Sequence, residues 1–252
     1  MKMTTPPLGL PGFELSDYIA ESIAFLRLNE PAEGYFVGFS GGKDSIVTLE
    51  LVRQSGVRYS AGYSCTGIDY PEIPRFIRHY YPEVIFSFPK ESYWSLLRKN
   101  GPPMWTVRWC CRLLKEQSSS HKNCVFGIRA EESVTRAARG RISTYKGKTS
   151  YKPIFNWPEW AVWSFIDQNQ LLYPASYDEG LKRIGCLGCP FALCGTSEAK
   201  SIRRQQDMER YPHWYKIHRK VCQEWFDRVT QRNQGKYPIR DFNTFYNMYW
   251  LE

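Results

Sequence analysis

A glycine-rich turn with the sequence SGGKDS, at residues 40–45, lies between two stretches of different character. The apolar run before it, residues 35–39, is typical of a buried strand, and residues 46–52 after it are typical of a helix. In such a strand–turn–helix unit the first free N–H groups of the helix, and the positive end of its dipole, point at the turn. The sequence therefore predicts an anion cradle here.

The residue types in the turn fit a phosphate ligand. Gly41 and Gly42 allow the backbone to fold closely around a phosphate, Lys43 supplies a mobile positive charge, and Ser40 and Ser45 supply hydroxyls. The spacing differs from the GxxxxGK[ST] of a P-loop, which argues against a kinase or GTPase. A glycine-rich turn that binds nothing is the alternative, and the strand–helix context favours the ligand.

Strands and helices alternate along the first two thirds of the chain. Further strands are predicted at residues 57–63, 84–88 and 124–128, and a helix is predicted from Pro71. This alternation predicts an α/β fold, a parallel twisted sheet flanked by helices, with ligands at the carboxyl ends of the strands. The turn at 40–45 and the segment after 128 both lie at such ends.

The pattern changes near residue 176, where a cysteine-rich turn precedes two long polar helices predicted at 198–209 and 214–231. These helices predict a C-terminal helical extension. We therefore divide the chain into three parts: an N-terminal tail at 1–14, a nucleotide-binding α/β domain at 15–175, and the cysteine-rich turn with the helical extension at 176–252. Ser16 is the predicted N-cap of the first helix of the α/β domain.

Composition restricts the partners and the location. The net charge of +9 favours polyanionic partners, either nucleotide or nucleic acid. No stretch approaches 18 apolar residues and no signal peptide is recognisable, so we expect a cytoplasmic protein that does not span a membrane. Eight cysteines in such a chain indicate metal or redox chemistry more than a disulfide framework.

A second anion-binding segment is predicted after the strand at 124–128. Arg129 and Arg136, with Arg139 and Arg141 nearby, can converge on one anion. The planar guanidinium suits this role because it grips phosphate or sulfate oxygens in pairs. A solvated charge run at a helix start is the alternative.

Five cysteines fall into two groups that suit a metal site: Cys110, Cys111, Cys186, Cys189 and Cys194. Thiolates from two distant segments can together complete one tetrahedral set. Adjacent side chains on a helix point about 100° apart, so two adjacent sulfurs reach one zinc ion less easily than two irons of a cubane cluster. We favour iron–sulfur, with zinc as the alternative, over buried free cysteines.

The SGGKDS turn resembles the pyrophosphate-binding loop (PP-loop) of the ATP pyrophosphatase and sulfonucleotide reductase superfamily. The segment after residue 126 matches that family's GxRxxES–xx–R pattern, and residues 152–166 match its next strand–helix segment. The resemblance implies an adenine nucleotide alpha hydrolase-like fold, with Lys43, Asp44, Arg129 and Arg136 in catalysis. It also implies nucleotide binding by the following residues: Ser40, Gly41, Gly42, Lys43, Asp44, Ser45, Gly127, Arg129, Glu132 and Ser133.

The cysteines carry a related resemblance. Cys110, Cys111, Cys186 and Cys189 match the set that holds a [4Fe-4S] cluster in bacterial adenylylsulfate reductases. Residues 108–115 (RWCCRLLK) resemble a segment of the DNA phosphorothioation ATP pyrophosphatases, and under that alignment Cys194 replaces Cys111. This second resemblance implies ATP and Mg²⁺ as ligands, nucleic acid (DNA more than RNA) as acceptor, and a cysteine desulfurase or another sulfur donor as partner.

Two departures from the relatives bear on the function: the first on the expected reaction, and the second on the nucleotide preference, which is less firmly indicated than phosphate binding. The sequence contains no cysteine after Cys222, whereas the reductases use a C-terminal nucleophilic cysteine, and Cys65 stands where relatives commonly have aspartate. We therefore expect an ATP pyrophosphatase that adenylates an acceptor for sulfur incorporation. A sulfonucleotide reductase that releases sulfite and a non-catalytic nucleotide- or nucleic-acid-binding iron–sulfur module remain the alternatives. Oligomeric state is left open.

Overall fold

The computed structural model describes residues 12–104, 107–116, 121–189, 191, 197–233 and 241–248. The described strands are β1 (Tyr35–Gly38), β2 (Tyr59–Ser64), β3 (Ile85–Ser87), β4 (Asn123–Phe126), β5 (Ile142–Tyr145) and β6 (Lys148–Tyr151). The described α-helices are α1 (Leu15–Leu28), α2 (Lys43–Ser55), α3 (Glu72–Tyr80), α4 (Tyr93–Asn100), α5 (Trp109–Cys111), α6 (Val134–Ala137), α7 (Glu159–Gln168), α8 (Ser197–Arg210), α9 (Pro212–Asn233) and α10 (Phe242–Tyr246).

The strands form a single six-stranded sheet in the order β3-β2-β1-β4-β6-β5. β1 pairs in parallel with both β2 and β4, and β4 pairs in parallel with β6. β5 is antiparallel to β6 and joins it through a two-residue turn. The α/β fold with a mostly parallel sheet is therefore confirmed.

The middle of the sheet is apolar because helices cover it. Val37 of β1 lies opposite Val125 of β4, and both are fully buried. Helix α2 contributes Leu49, and the turn and helix that follow β6 contribute Trp157 and Phe165, all of them buried. Each such side chain contributes about 1.5–3 kcal/mol to folding, and together they hold the carboxyl ends of β1 and β4 side by side.

Helix α1 begins earlier than the sequence indicates. Its N-cap is Glu14, whose backbone N–H donates to the carboxylate of Asp17 at 2.9 Å. Ser16 lies within the first turn, so its prediction as the N-cap is wrong. The Asp17 carboxylate fixes the start because it satisfies an amide at the mouth of the helix.

The described chain forms two compact units, each made of three separate segments. The first comprises residues 12–63, 72–87 and 121–179, and the second comprises the rest. The second unit has its own apolar core, to which α4, α9 and α10 contribute Leu97, Phe226 and Phe242. Helices α8 and α9 confirm the C-terminal helical extension. The domain boundaries at 14/15 and 175/176 stay a prediction.

Candidate functional site

The turn at residues 40–45 lies at the carboxyl end of β1, in the first unit. Helix α2 begins at Lys43 with Gly42 as its N-cap, so its first amides face the turn. Gly41 has φ +72°, in the left-handed region that favours glycine. The backbone therefore makes the sharp strand-to-helix turn that an anion cradle requires.

Two hydroxyls close this turn from within. The Ser45 hydroxyl donates to the carbonyl of Gly42 at 2.8 Å and accepts from the Ser40 amide at 3.2 Å. The two serine hydroxyls lie 3.2 Å apart. Both serines thus fix the shape of the loop, and this role is additional to the phosphate contact that the sequence predicts for them.

Lys43 is buried, with 4% of its surface exposed. Its ammonium lies 3.4 Å from a carboxylate oxygen of Glu159 on α7 and 3.7 Å from one of Asp44. It also lies 5.5 Å from the ring centre of Tyr177 and 5.9 Å from that of Trp163. The charge is therefore held at the loop by carboxylates and aromatic faces.

Tyr177 also binds the backbone of the cradle. The Lys43 amide, at the start of α2, donates to the Tyr177 hydroxyl at 3.0 Å. This amide is one of those that a bound phosphate would use. Neither Glu159 nor the hydroxyl of Tyr177 was expected at the cradle. Residues 177–186, which read YDEGLKRIGC and lead into the second cysteine group, were the available signal for the tyrosine. No pattern pointed to Glu159.

Arg129 meets the cradle from β4, the neighbour of β1. Its Nε donates to a carboxylate oxygen of Asp44 at 2.6 Å, and its Nη1 pairs with Glu131 at 2.5 Å. Gly127 lies against the start of α2, where a Cβ would collide with the Asp44 carbonyl oxygen. The structure thus brings Arg129 and Gly127 together with the loop. It uses the guanidinium of Arg129 to hold Asp44.

The other charged residues of the arginine segment bind partners within the protein itself. Arg136 forms an ion pair with Glu132, whose carboxylate also accepts from the Arg129 amide at 3.2 Å. The Ser133 hydroxyl caps α6 by accepting from the Arg136 amide at 3.2 Å. Arg141 pairs with Glu21 of α1. Anion binding by Arg129 and Arg136 stays a prediction.

In the second unit, four of the predicted cysteine ligands share one neighbourhood. Cys110 and Cys111 lie on α5, and the thiol of Cys110 interacts electrostatically with those of Cys111, Cys189 and Cys186. A hydrogen bond with Cys111 and burial raise the pKa of Cys110. Burial raises the pKa of Cys186 to about 12. The thiol of Cys110 is therefore near enough to the other three, which come from two segments, to be influenced by them electrostatically.

Short-range contacts position the Cys186 thiol. Its sulfur lies 3.7 Å from the carboxylate of Asp69 and 3.8 Å from the hydroxyl of Thr66. The Leu187 amide donates to the Ile68 carbonyl at 2.7 Å, which ties the two segments together. The Cys186 thiolate, and Asp69 more weakly, raise the pKa of Lys115. Asp69 thus faces the cysteines, a placement that the sequence did not indicate.

The remaining cysteines differ in their setting. No disulfide joins the cysteines in the described part of the chain. Cys194 lies outside the described residues. As they stand, no three His, Cys, Asp or Glu side chains in the described ranges are close enough to hold one metal ion. Cys124 and Cys222 are buried, and burial raises the pKa of Cys222.

The parallel sheet, with a glycine-rich cradle after β1 and an arginine segment after β4, defines an adenine nucleotide alpha hydrolase-like fold. The structure is similar to the phosphoadenylyl-sulfate reductase of Candida auris in its phosphate complex, with a TM-score of 0.53 and 19% sequence identity. The similarity covers 73% of this chain and 99% of that one. At this identity the likeness shows the fold.

The chain belongs to the phosphoadenosine phosphosulfate reductase domain family, which residues 34–192 match. An uncharacterized protein of Methanocaldococcus jannaschii is 30% identical over 210 residues, 76% of this chain and 43% of that protein. The phosphoadenosine 5'-phosphosulfate reductase of Gloeobacter violaceus is 25% identical over 183 residues, 64% of this chain and 74% of that protein.

This chain spans less than half of two of its relatives, 43% and 41% of the length of two uncharacterized proteins of Methanocaldococcus jannaschii. Among the described residues, no helix combines the length and the apolar character that crossing a membrane requires.

Proposed function

We propose that this protein is an ATP pyrophosphatase that adenylates an acceptor for sulfur incorporation. One observation carries the proposal: a left-handed Gly41 and the first amides of α2 surround a point beside which the buried ammonium of Lys43 lies. Such an arrangement stabilises charge that develops on a departing pyrophosphate, because its dipoles and its cation are fixed before the reaction.

Each residue of the cradle has a part in this proposal. The amides at residues 41–44 would bind the β- and γ-phosphates, and Lys43 would neutralise charge on the leaving group. Asp44, oriented by Arg129, is the carboxylate at the loop and would hold Mg²⁺, since carboxylate oxygen is a preferred ligand of that ion. The cation would supply further neutralisation of the phosphates.

The four neighbouring thiols match the number and the type of ligands that an iron–sulfur group takes. Cys110, Cys111, Cys186 and Cys189 would hold a [4Fe-4S] cluster, which binds through four thiolates. The cluster would bind sulfur or transfer electrons. The chain itself supplies the charge balance, because the ammonium of Lys115 lies beside the Cys186 thiol and offsets the thiolate charge.

The acceptor in this proposal is nucleic acid, with the DNA backbone favoured. The net charge of +9 supports a polyanionic partner. The acceptor oxygen would attack the α-phosphorus and pyrophosphate would leave. Sulfur would then take the place of the adenylated oxygen, which leaves as part of AMP. A cysteine desulfurase would deliver that sulfur as a persulfide, and a thiol reductant would supply the two electrons that bring it to the sulfide level.

A sulfonucleotide reductase is the second candidate, and the names of the relatives favour it. The Allochromatium vinosum protein, 35% identical over 102 residues, 37% of this chain and 40% of that protein, is an adenosine 5'-phosphosulfate reductase. Reduction requires a thiolate that attacks sulfur. Cys222 is unsuited to this role because it is 0% exposed and burial disfavours its thiolate.

One experiment separates the two reactions. Anaerobically purified protein is incubated with ATP, Mg²⁺ and duplex DNA, and separately with adenylylsulfate or phosphoadenylylsulfate and thioredoxin. We expect pyrophosphate in the first and no sulfite in the second. Sulfite without pyrophosphate would overturn the proposal in favour of reduction.

The matched variants are Lys43→Ala and Lys122→Ala. Lys122 is exposed and directly precedes β4. It therefore lies at the amino ends of the parallel strands, whereas the cradle lies at their carboxyl ends. Lys43→Ala should abolish pyrophosphate release, and Lys122→Ala should leave it unchanged. Equal activity in both variants would show that the cradle is wrongly assigned.

A further inference from the structure

We infer that the Tyr215 hydroxyl of α9 donates a hydrogen bond to a sulfur atom of the iron–sulfur cluster at the turn formed by residues 186–189, and thereby raises the reduction potential of that cluster. The inference rests on the cluster proposed above, and it concerns a residue outside the cysteine pattern. Tyr215 and the 186–189 turn both belong to the second unit.

The first observation is the position of the hydroxyl. It lies 3.5 Å from the point at which a Cβ on Gly188 would stand. Gly188 lies between Cys186 and Cys189 and has φ +63°, and the Cys189 amide donates to the Cys186 carbonyl at 3.3 Å. The hydroxyl therefore lies directly against the tight turn that carries two of the four proposed ligands.

The second observation is that this hydroxyl has no partner. Tyr215 is 5% exposed, and its hydroxyl oxygen is buried and makes no hydrogen bond within the described residues. Burial raises the pKa of Tyr215, so the phenol keeps its proton and remains a donor. A buried donor without an acceptor is costly, and a ligand at the turn that accepts from it would remove this cost.

The carboxylate whose charge acts on Tyr215, that of Asp207, is bound by other donors. One of its oxygens accepts from the Tyr70 hydroxyl at 2.7 Å, and the other lies 3.1 Å from a guanidinium nitrogen of Arg203. The Tyr215 hydroxyl makes no hydrogen bond with this carboxylate. Asp207 therefore does not account for the buried donor.

Neighbouring rings fix the direction of Tyr215. Its ring meets that of Trp214 edge to face, with centroids 5.0 Å apart, and Trp214 stacks on His218 at 4.9 Å. A Cβ on Gly188 would stand 2.7 Å from the Trp214 ring, so this ring also packs against the turn. The hydroxyl is therefore held at the turn by the packing of α9.

A sulfur atom at this turn is an acceptor that suits the hydroxyl. Thiolate and sulfide sulfurs carry negative charge, and hydrogen bonds to them are one of the factors that set the potential of an iron–sulfur cluster. A donor withdraws electron density from sulfur and favours the reduced state, because that state carries one more negative charge. Tyr215 should therefore raise the potential.

Redox titration of the cluster tests this inference. Iron is first counted in anaerobically purified parent and Tyr215→Phe, and each cluster is then reduced by one electron with Ti(III) citrate and followed by electron paramagnetic resonance. We expect about four irons per chain in both proteins. The equilibrium constant for reduction should be about three- to tenfold smaller in Tyr215→Phe, a potential lower by about 30–60 mV for one electron.

Tyr246→Phe is the matched control. Tyr246 is a buried tyrosine of the same unit, but its hydroxyl already lies 3.0 Å from His218 Nδ1. This variant should keep the iron and the potential of the parent. The inference is overturned if the potential of Tyr215→Phe equals that of the parent, or if Tyr246→Phe shifts it as much.

Iron content separates this inference from the proposed cluster. A parent without iron overturns the cluster and the inference together, whereas iron in every protein with equal potentials overturns the inference alone. Should Tyr215→Phe not retain iron, a fluorinated tyrosine at position 215 decides. Its hydroxyl is the stronger donor and should raise the potential above that of the parent, and an equal or lower potential would overturn the inference.

Discussion

Arg129 and Lys43 are each 4% exposed, and each is held by carboxylates that lie far away along the chain as well as by nearby ones. A buried ion pair stabilises the fold only when its geometry is good, and removing one partner leaves the other charge buried and unpaired. Glu159 and Asp44 are therefore the groups that keep these two cations at the loop.

Replacing Arg129 by lysine tests this reliance on geometry. A lysine ammonium cannot reproduce the fork that reaches both Asp44 and Glu131. We expect Arg129→Lys to lower the free energy of unfolding by about 2 kcal/mol, as measured by urea denaturation. Pyrophosphate release should fall as well, since Asp44 loses its orientation.

The control is Arg58→Lys, which changes an exposed ion pair with Glu30. Exposed pairs contribute little, so this variant should remain within about 0.5 kcal/mol of the parent. A similar loss in both variants would contradict the role given to Arg129.

Tyr177→Phe tests whether the tyrosine competes with phosphate. The substitution removes the hydroxyl that accepts from the Lys43 amide and keeps the ring beside the ammonium. The freed amide should bind ATP more tightly, by about two- to tenfold for one hydrogen bond. Equilibrium binding of ATP measures the change, and weaker binding would show that the hydroxyl supports the nucleotide.

The position of Arg129 near the cradle could be predicted from the sequence. Residues that follow neighbouring parallel strands meet at one edge of a sheet, and β1 and β4 are such neighbours. The sequence did not indicate that the carboxylates of Asp44 and Glu131 bind the Arg129 guanidinium. Glu159 reaches Lys43 from α7, 116 positions along the chain, and a single sequence carries no periodic signal for such a pair.

Among the helices, α9 carries a histidine that solvent does not reach. The His218 ring stacks on Trp214 with centroids 4.9 Å apart, and burial lowers the pKa of His218 to about 3. The titratable groups around it include Tyr93, Tyr246 and Cys222. The folded protein therefore holds this histidine neutral at ordinary pH.

This burial predicts loss of stability in acid. The unfolded chain binds a proton at His218 near pH 6.5 and the folded chain only near pH 3, so in between the unfolded state holds more protons. The stability contribution is full above pH 6.5 and falls by about 1.4 kcal/mol for each pH unit below it. Urea denaturation from pH 7 to pH 4 measures the slope.

Two variants isolate the contribution of His218. His218→Phe should reduce the slope, since it removes the titrating group. His213→Gln, on an exposed position of the same helix, should keep it. Equal slopes in His218→Phe and the parent would mean that another group controls the acid response.

The β5–β6 hairpin is an element that the hydrophobic pattern of the sequence does not predict. Its strands carry polar residues with intermediate or exposed side chains, so neither an apolar run nor alternation marks them. The turn consists of Lys146 and Gly147, both with positive φ. Lysine at the first position is a weaker signal for such a turn than asparagine or aspartate.

For the whole molecule, the clustered thiols predict a metal content. Anaerobically purified protein should carry about four irons per chain, with visible absorbance. Cys110→Ala should lose iron and absorbance, because Cys110 is one of the four proposed ligands and interacts with the other three. Cys124→Ala should keep both, since Cys124 belongs to β4 in the other unit. One zinc per chain without absorbance would contradict the cluster.

The α/β class and the C-terminal helices were predictable because periodicity is a local property. The two units are each assembled from three segments, and that arrangement depends on contacts between distant residues, such as Leu187 with Ile68. Domain boundaries that are predicted as continuous ranges of the sequence cannot represent such contacts.

The central strand β1 has a consequence for biosynthesis. It pairs with β2 on one side and β4 on the other, and 85 positions separate Gly38 from Asn123. At translation rates of roughly 5–20 residues per second, one edge of β1 therefore waits several seconds on the ribosome without its partner. During that interval its unpaired backbone is a template for any other strand, and chaperone binding to the nascent chain would protect it.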